Sequence, residues 1–379
     1  MRQFKTQLIA LGVAVLVAAC GGGGADTTPK EKVTSVKVMG DSLADSGTFG
    51  LKFTVQGAAS LVFAERVAQT YGVSALCPFF VFTGATFVAN PTAGCSNYSI
   101  GGGRINNFSA PTSPRSIVQQ LRTVTSYGAG DLLLLDGGGN DAADLIGAYL
   151  NIPRDGGAAY TNLLRTLLPT ATVNAAIAGG AGGMAAAGGQ YMVALAGMFH
   201  DAIKVNALDR GAPRVAVLNM PGILNTPRFQ QVLTGVALAS GGGSAGAAVR
   251  AQSEALFKGW IEAYNADLLK RFAGNTKVTV VDFYTSFNDQ VANPAQFGLT
   301  NAKDTACPVT GVGGDGLPTY TFPTCTATAL SAMTPPAGAT GGANWWKTYA
   351  FSDSFHPTPY GHELLAQLIS RSLATAGWL

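Results

Sequence analysis

"VTSVKVMGDSLADSG", residues 33–47, joins an apolar, β-branched run to a turn of small and acidic residues. The run Val33–Met39 has the composition of a strand. Gly40 and Asp41 end it, and Ser42 follows directly. A serine at such a junction usually caps the next helix, because its hydroxyl accepts from a free backbone N–H. Whether Ser42 caps or reacts depends on what the rest of the chain brings to the same place.

The junction recurs. Tyr98–Ile100 runs into "GGG", Asp131–Asp136 ("DLLLLD") into "GGGND", Val215–Leu218 into "NMPG" and Val278–Val281 into "DFY". Short, continuously apolar strands suit a sheet covered on both faces. Helical patterns lie between them: "ASLVFAERVAQTYG" ending at Gly72, "SIVQQLRTVTSYGAG", and "EALFKGWIEAYNADLLKRFAG" ending at Gly274. A last helix is expected from about Pro359 to Thr375, with Thr358 as its cap and Pro359 in its first position. The alternation predicts an α/β fold, a three-layer α/β/α sandwich with a mainly parallel sheet of about five strands. Ligand sites in such sheets lie along the carboxyl edge. Ser42, the glycines near 102 and Asn140 should therefore meet there.

Two stretches, 175–189 and 239–249, are rich in Ala and Gly. Their composition fits close-packed helices or loops, and neither ends in the Gly-Lys-Ser/Thr of a P-loop. Residues 284–350 show few periodic patterns and are read as a long ordered excursion over the sheet edge.

The chain has 379 residues, 47% hydrophobic and 12% charged, with a net charge of +3. No dense Lys/Arg stripe appears, which sets nucleic-acid binding aside. At the N-terminus Arg2 and Lys5 precede an apolar stretch, Leu8–Ala19, and then Cys20. Residues 1–19 read as a signal peptide, too short for the roughly 20 residues of a membrane span. "LVAAC" resembles a bacterial lipobox, which implies cleavage before Cys20 and its lipidation. Residues 20–32 then form the lipidated Cys and a flexible tether. The absence of Asp directly after Cys20 resembles the outer-membrane pattern. The expectation is an exported protein, anchored to a membrane by lipid at Cys20 or secreted, with a single domain over 33–379.

Export implies an oxidising compartment, and four further cysteines remain. Of three connectivities, Cys77–Cys95 and Cys307–Cys325 are favoured because local loops close most easily. Each would stabilise by about 3 kcal/mol in the loop-entropy picture. No CxxC or HxxxH spacing suggests a metal site.

Near the C-terminus stands "SDSFHPTPYGH", residues 352–362. Of the three histidines, His200 and His362 lie in helical runs and read as ordinary helix residues. His356 stands three residues after Asp353 on an expected loop. A serine hydroxyl needs a base to take its proton and a third group to orient that base. Imidazole, with an unperturbed pKa of about 6.5, does the first, and a carboxylate does the second. Backbone N–H groups flanked by glycine, and an Asn amide, suit the oxyanion that follows attack.

"GDSLADSG", "NYSIGGGR", "GGND" and "DSFH" occur in that order, and together they resemble the GDSL, or SGNH, family of serine hydrolases. "NPAQFGLTN" and "HPTPYGHELLA" are similar to its longer, secreted lipase/esterase branch. The resemblance covers residues 33–379 and implies a flavodoxin-like fold. It assigns Ser42 as nucleophile and as one oxyanion donor through its own N–H. Gly102 would be the backbone donor, with Gly101 as the alternative register, and Asn140 the side-chain donor. Asp353 and His356 would complete the triad. Asp41 would shape the Ser42 turn, and Asp141 would hold its loop or cap a helix.

The implied reaction is carboxylic ester hydrolysis through an acyl-serine, favouring short-to-medium acyl chains, by a monomer needing neither metal nor cofactor. The expected partner is a small-molecule or lipid ester. Activity should fall at about pH 6 to 7 as His356 protonates. Trp345, Trp346 and Tyr349 either form an apolar wall for the substrate or pack the excursion onto the body, and "CPFFVF" (77–82) would form the opposite rim. Phospholipase or acyltransferase activity is the nearest alternative. A catalytically silent surface binding protein is the alternative from another class.

Overall fold

The structure, a computed structural model, describes residues 32–73 and 76–379. The expected signal peptide, Cys20 and the tether up to residue 31 lie outside the described residues. Val33–Leu379 forms one unit. It begins with β1 (Ser35–Met39), α1 (Phe63–Thr70), the hairpin strands β2 (Phe80–Phe82) and β3 (Phe87–Ala89), α2 (Ile117–Thr123) and β4 (Asp131–Leu135). Five helices follow: α3 (Gly139–Leu150), α4 (Ile152–Asp155), α5 (Ala158–Leu164), α6 (Thr170–Ala178) and α7 (Gly180–Asn206). Next come β5 (Val215–Leu218), α8 (Pro227–Ala239), α9 (Gly243–Phe272), β6 (Val278–Val281) and α10 (Phe283–Ala292). The chain closes with β7 (Asn301–Thr305), β8 (Gly311–Val312), β9 (Pro318–Thr319), α11 (Ala327–Ala332), β10 (Tyr349–Phe351) and α12 (Pro359–Thr375).

The central sheet has the order β1-β4-β5-β6, and every pairing is parallel. Met39 pairs with Leu135, Leu135 with Val217, and Leu218 with Val281. This register aligns the strands' carboxyl ends, so the segments at 40–42 and 136–140 leave the sheet side by side. All five residues of β4 are buried, as a central strand covered on both faces requires. Leu133 and Leu135 enter one core with residues of α2, α3, α5, α7 and α9. Leu132 and Leu134 enter a second core with residues of α1, α10 and α12. The period of two along one strand thus divides the helices into two layers. Each of these buried leucines contributes on the order of 2 kcal/mol.

Among the described residues the regular sheet has four strands, against the expected number of about five. The run Tyr98–Ile100 still lies against β1: Val38 N–H donates to Ser96 O at 3.1 Å and Tyr98 N–H to Val38 O at 2.7 Å. Asn97 bridges Val38 on one side and Pro78 on the other. The ladder stops there because the chain turns at Gly102, whose φ is +78°. The segment is bridged on both sides at one residue, Asn97, and forms no regular strand.

Both Ala/Gly-rich stretches are mostly helical: the first runs from α6 into α7 with a turn at Gly179, and the second joins α8 to α9 through a turn at 240–242. Small residues let these helices pack closely. A Cβ on Gly188 of α7 would stand 2.2 Å from the Trp260 ring of α9. The excursion begins later than the sequence suggests, because 283–292 form α10. Phe283 and Phe287 of that helix pack into the second core, and its polar remainder hid the pattern.

Beyond α10, Cys307–Cys325 closes a small third core containing Val55, Leu330, Trp345, Trp346 and Tyr349. Cys77–Cys95 is also formed. Among the described residues, no helix is long and apolar enough to cross a membrane.

α12 starts as its sequence predicts. Pro359 is its first residue, and Thr358 Oγ1 accepts from Gly361 N–H at 3.2 Å. His362 on this helix is fully buried, and its Nδ1 accepts the Phe63 N–H of α1 at 3.3 Å. Burial first, then the charges of His356, Arg66 and Lys52, pull its pKa down to about 3. It is a neutral core residue joining two helices. His200, on α7, bonds its neighbour Asp201 at 2.9 Å and faces Phe272.

Candidate active site

Beyond Met39, the chain crosses the carboxyl edge of the sheet under tight constraint. Gln120 of α2 brackets Gly40, accepting its N–H at 2.8 Å and donating to its carbonyl at 3.0 Å. Asp41 Oδ1 accepts from Leu43 N–H at 2.9 Å, a side-chain turn that sets the direction of Ser42. The next α-helix begins only at Phe63, so the Ser42 hydroxyl caps nothing. Its hydrogen-bond partner is His356 Nε2, 2.7 Å away.

His356 stands on the loop between β10 and α12, pinned from within. Ser352 N–H donates to His356 O at 2.8 Å, and the Ser352 hydroxyl to Pro357 O at 2.9 Å. His356 Nδ1 lies 2.9 Å from Asp353 Oδ2. Asp353 Oδ1 accepts the N–H groups of Phe355 and His356 at 2.8 and 2.6 Å. Burial acts to raise the Asp353 carboxyl, but the His356 imidazole and those N–H groups outweigh it and hold it below its ordinary value. Burial likewise disfavours the charged imidazole, and Asp353, aided by Asp41, reverses this and raises His356 above 6.5. Ser42, His356 and Asp353 thus form a continuous hydrogen-bonded chain, although Ser42 and Asp353 are 311 positions apart in the sequence.

Two backbone donors stand at this edge without partners. Neither Ser42 N–H nor Gly102 N–H makes a hydrogen bond among the described residues. The Gly101 N–H, by contrast, donates to Asp45 Oδ2 at 2.9 Å. Of the two registers open in the sequence, only Gly102 keeps its donor free, and its φ of +78° favours glycine. Asn140 lies in the first turn of α3. Its Nδ2 donates to Gly103 O at 2.9 Å and reaches Asp41 Oδ2 at 3.3 Å. Its amide is therefore at the site but engaged with the protein. Asp141 is buried and accepts Ile105 and Asn106 N–H at 3.0 and 2.8 Å, which ties the glycine loop to α3. Burial pushes its carboxyl up to about 6, against those two N–H groups.

The sequence model of the family described as GDSL-like Lipase/Acylhydrolase matches residues 36–369. This chain belongs to the GDSL-like lipase/acylhydrolase family. No curated protein matches it. Among solved structures, it is similar to the lipase Lip_vut3 from a goat rumen metagenome, at 13% identity, over 91% of this chain and 97% of that one, with a TM-score of 0.38. Membership makes this GDSL-like protein a hydrolase, with ester bonds as its general target.

The surroundings correct one reading. Trp345, Trp346 and Tyr349 are 1%, 5% and 4% exposed, and they fill the third core instead of walling the site. Trp345 Nε1 bonds Leu330 O at 3.1 Å, and Trp346 Nε1 bonds Ser331 Oγ at 3.1 Å. Their aromatic surface is consumed in packing the excursion onto the body. The rings that do meet His356 are Phe53, Phe322 and Phe355, with centroids 5.2, 5.7 and 5.7 Å away. Phe53 also covers the glycine loop so closely that a Cβ on Gly101 would stand 2.3 Å from it. From Phe53 the rings continue through Phe49 to Phe82 and Phe87, so the Phe82 end of "CPFFVF" does reach this strip.

Behind Ser42 opens a narrow cleft of about 60 Å³, lined by Leu218, Ile223, Phe283, Phe287 and Phe355 among others. Larger cavities, of about 850 and 870 Å³, lie away from the triad.

Two further residues carry the site and were not anticipated. Asp45, fully buried, accepts Gly47, Thr48 and Gly101 N–H groups and so locks the serine loop to the glycine loop. Its place in "GDSLADSG" was the available signal. Asp136, at the end of β4, lines the cleft beside Ser42.

Proposed function

We propose that the protein is a serine carboxylesterase that works through an acyl-serine intermediate. The observation that carries this reading is the chain Ser42 Oγ–His356 Nε2–Asp353, with links of 2.7 and 2.9 Å, facing two free N–H groups. His356 takes the hydroxyl proton as Ser42 Oγ bonds the ester carbon. The carbonyl oxygen, now negative, is held by Ser42 N–H, Gly102 N–H and the Asn140 amide, whose long 3.3 Å contact to Asp41 is the one that yields. The ester C–O bond then breaks, and the alcohol leaves with the proton from His356. Water, deprotonated by His356, repeats the attack and releases the acid.

The narrow apolar cleft supports an acyl chain of short-to-medium length, and the phenylalanine strip supports an apolar or aryl alcohol group. A panel of p-nitrophenyl esters tests this. The ratio kcat/KM is expected to peak between acetate and octanoate and to fall about tenfold or more by palmitate, the cost of excluding a chain from its pocket. A rate that keeps rising to palmitate would overturn the acyl assignment.

The leader expected over residues 1–19, with Cys20 directly after it, and the two disulfides support an exported, lipid-anchored setting. Metabolic labelling with palmitate should mark the parent and not Cys20→Ser; equal labelling of both would remove the anchor.

A further inference from the structure

Asp136 is 4% exposed, and among the described residues neither carboxyl oxygen has a hydrogen-bond partner of ordinary geometry; the Asp41 carboxyl faces it, and the Asp41 and Asp136 N–H groups lie nearby. It presses on the serine turn from below: a Cβ on Gly40 would lie 1.7 Å from Asp136 Oδ1. Asp41 is the better supplied of the two, with the Leu43 N–H on one oxygen and the Asn140 amide on the other. Two buried carboxylates facing each other cannot both be ionised. The proton therefore belongs to Asp136, the more weakly supplied of the two: the Asp41 and Asp136 N–H groups act on its carboxyl, but neither oxygen accepts a hydrogen bond of ordinary geometry.

We propose that Asp136 is a positioning residue for the hydrolysis: its carboxyl group donates a hydrogen bond to Asp41 and so fixes the carboxylate that shapes the Ser42 turn and orients Asn140. The arrangement also keeps the charge beneath the developing oxyanion to a single negative unit. Burial first, and then the Asp41 charge, drive the Asp136 carboxyl well above its ordinary value, the direction that favours the protonated acid. The other groups facing this pair are His356 across the cleft, Arg104 near Asp41, and the buried Tyr264 hydroxyl of α9. Tyr264 is itself pushed far up by burial and by the neighbouring carboxyl groups, so it stays neutral over the same range.

The proposal rests on the serine-hydrolase reading, and its test starts from a parent enzyme whose Ser42-dependent hydrolysis has been established. If the parent shows none, that reading fails; the proposal fails only on the variants. Asp136→Leu keeps the volume and removes the donor. It is expected to lower kcat about 10²-fold with KM changed less than about threefold, as for a displaced oxyanion group. Asp136→Asn keeps a donor that cannot ionise. It should recover most of that loss and extend activity to higher pH than the parent, whose alkaline limb contains the ionisation of Asp136.

An orphan carboxyl without a role behaves differently: its replacement by leucine would raise the melting temperature and leave kcat unchanged. That outcome overturns the proposal. If Asp136→Leu does not fold, the comparison of Asp136→Asn with the parent decides. Superimposable pH–kcat profiles for those two proteins also overturn it.

Discussion

Ser42→Ala is expected to lower kcat for p-nitrophenyl butyrate by about 10⁴-fold or more. The hydroxyl it removes has His356 Nε2 as its hydrogen-bond partner and caps no helix, so the substitution takes away the proposed nucleophile and little else. The melting temperature should move by no more than about 2 °C, the usual range for a change that leaves packing intact. The free N–H groups of Ser42 and Gly102 survive in the variant and account for its residual rate over water. Comparing turnover and melting in the same two proteins separates loss of chemistry from loss of fold. Retention of a tenth of the parent rate would remove Ser42 from the reaction.

The second large effect belongs to Asp353→Asn, expected to cost about 10⁴-fold in kcat. Asp353 Oδ2 receives His356 Nδ1–H at 2.9 Å, which leaves Nε2 free to accept from Ser42. An amide nitrogen in place of Oδ2 presents a donor to Nδ1. The imidazole then shifts its proton to Nε2, where it can no longer act as base. The remaining oxygen still accepts the Phe355 and His356 N–H groups, so the loop keeps its shape.

The pH profile carries the sign of the same interaction. His356 must be neutral to act, and Asp353 holds its pKa above the ordinary 6.5. Parent activity should therefore fall with decreasing pH from a point above that value, higher than sequence alone suggests. Removing the carboxylate moves the acid limb down. Measurement of kcat/KM against pH for both proteins checks this. An Asn variant with parent-like kcat, or an unmoved acid limb, would contradict the role given to Asp353.

Much of this arrangement is legible in the sequence because local chemistry and tertiary position agree. Val36 to Met39, Leu132 to Leu135 and Val215 to Leu218 are apolar without alternation, which suits a sheet covered on both faces, and each lies in the sheet. Thr358 and Pro359 begin α12 because cap and first-turn preferences act within four residues.

The misreadings concern longer-range forces. Tyr98–Ile100 has strand composition, but the regular bridges stop at Asn97, just before it, and the chain turns at Gly102. Trp345 and Trp346 look like a binding wall because aromatic residues serve in both cores and pockets, and only packing separates the two uses. Asp136 closes an apolar run as many polar residues do. Its burial against Asp41 depends on β1 and β4 being neighbours, with Met39 opposite Leu135, which no local pattern encodes.

The most direct test of the central claim is covalent labelling of the folded parent protein with a fluorophosphonate, mapped by peptide mass. A phosphonate on Ser42, formed more slowly when excess butyrate ester is present during labelling and absent in His356→Ala, is the predicted result. A folded, hydrolytically active protein that takes no label, or takes it at another residue, would contradict the account.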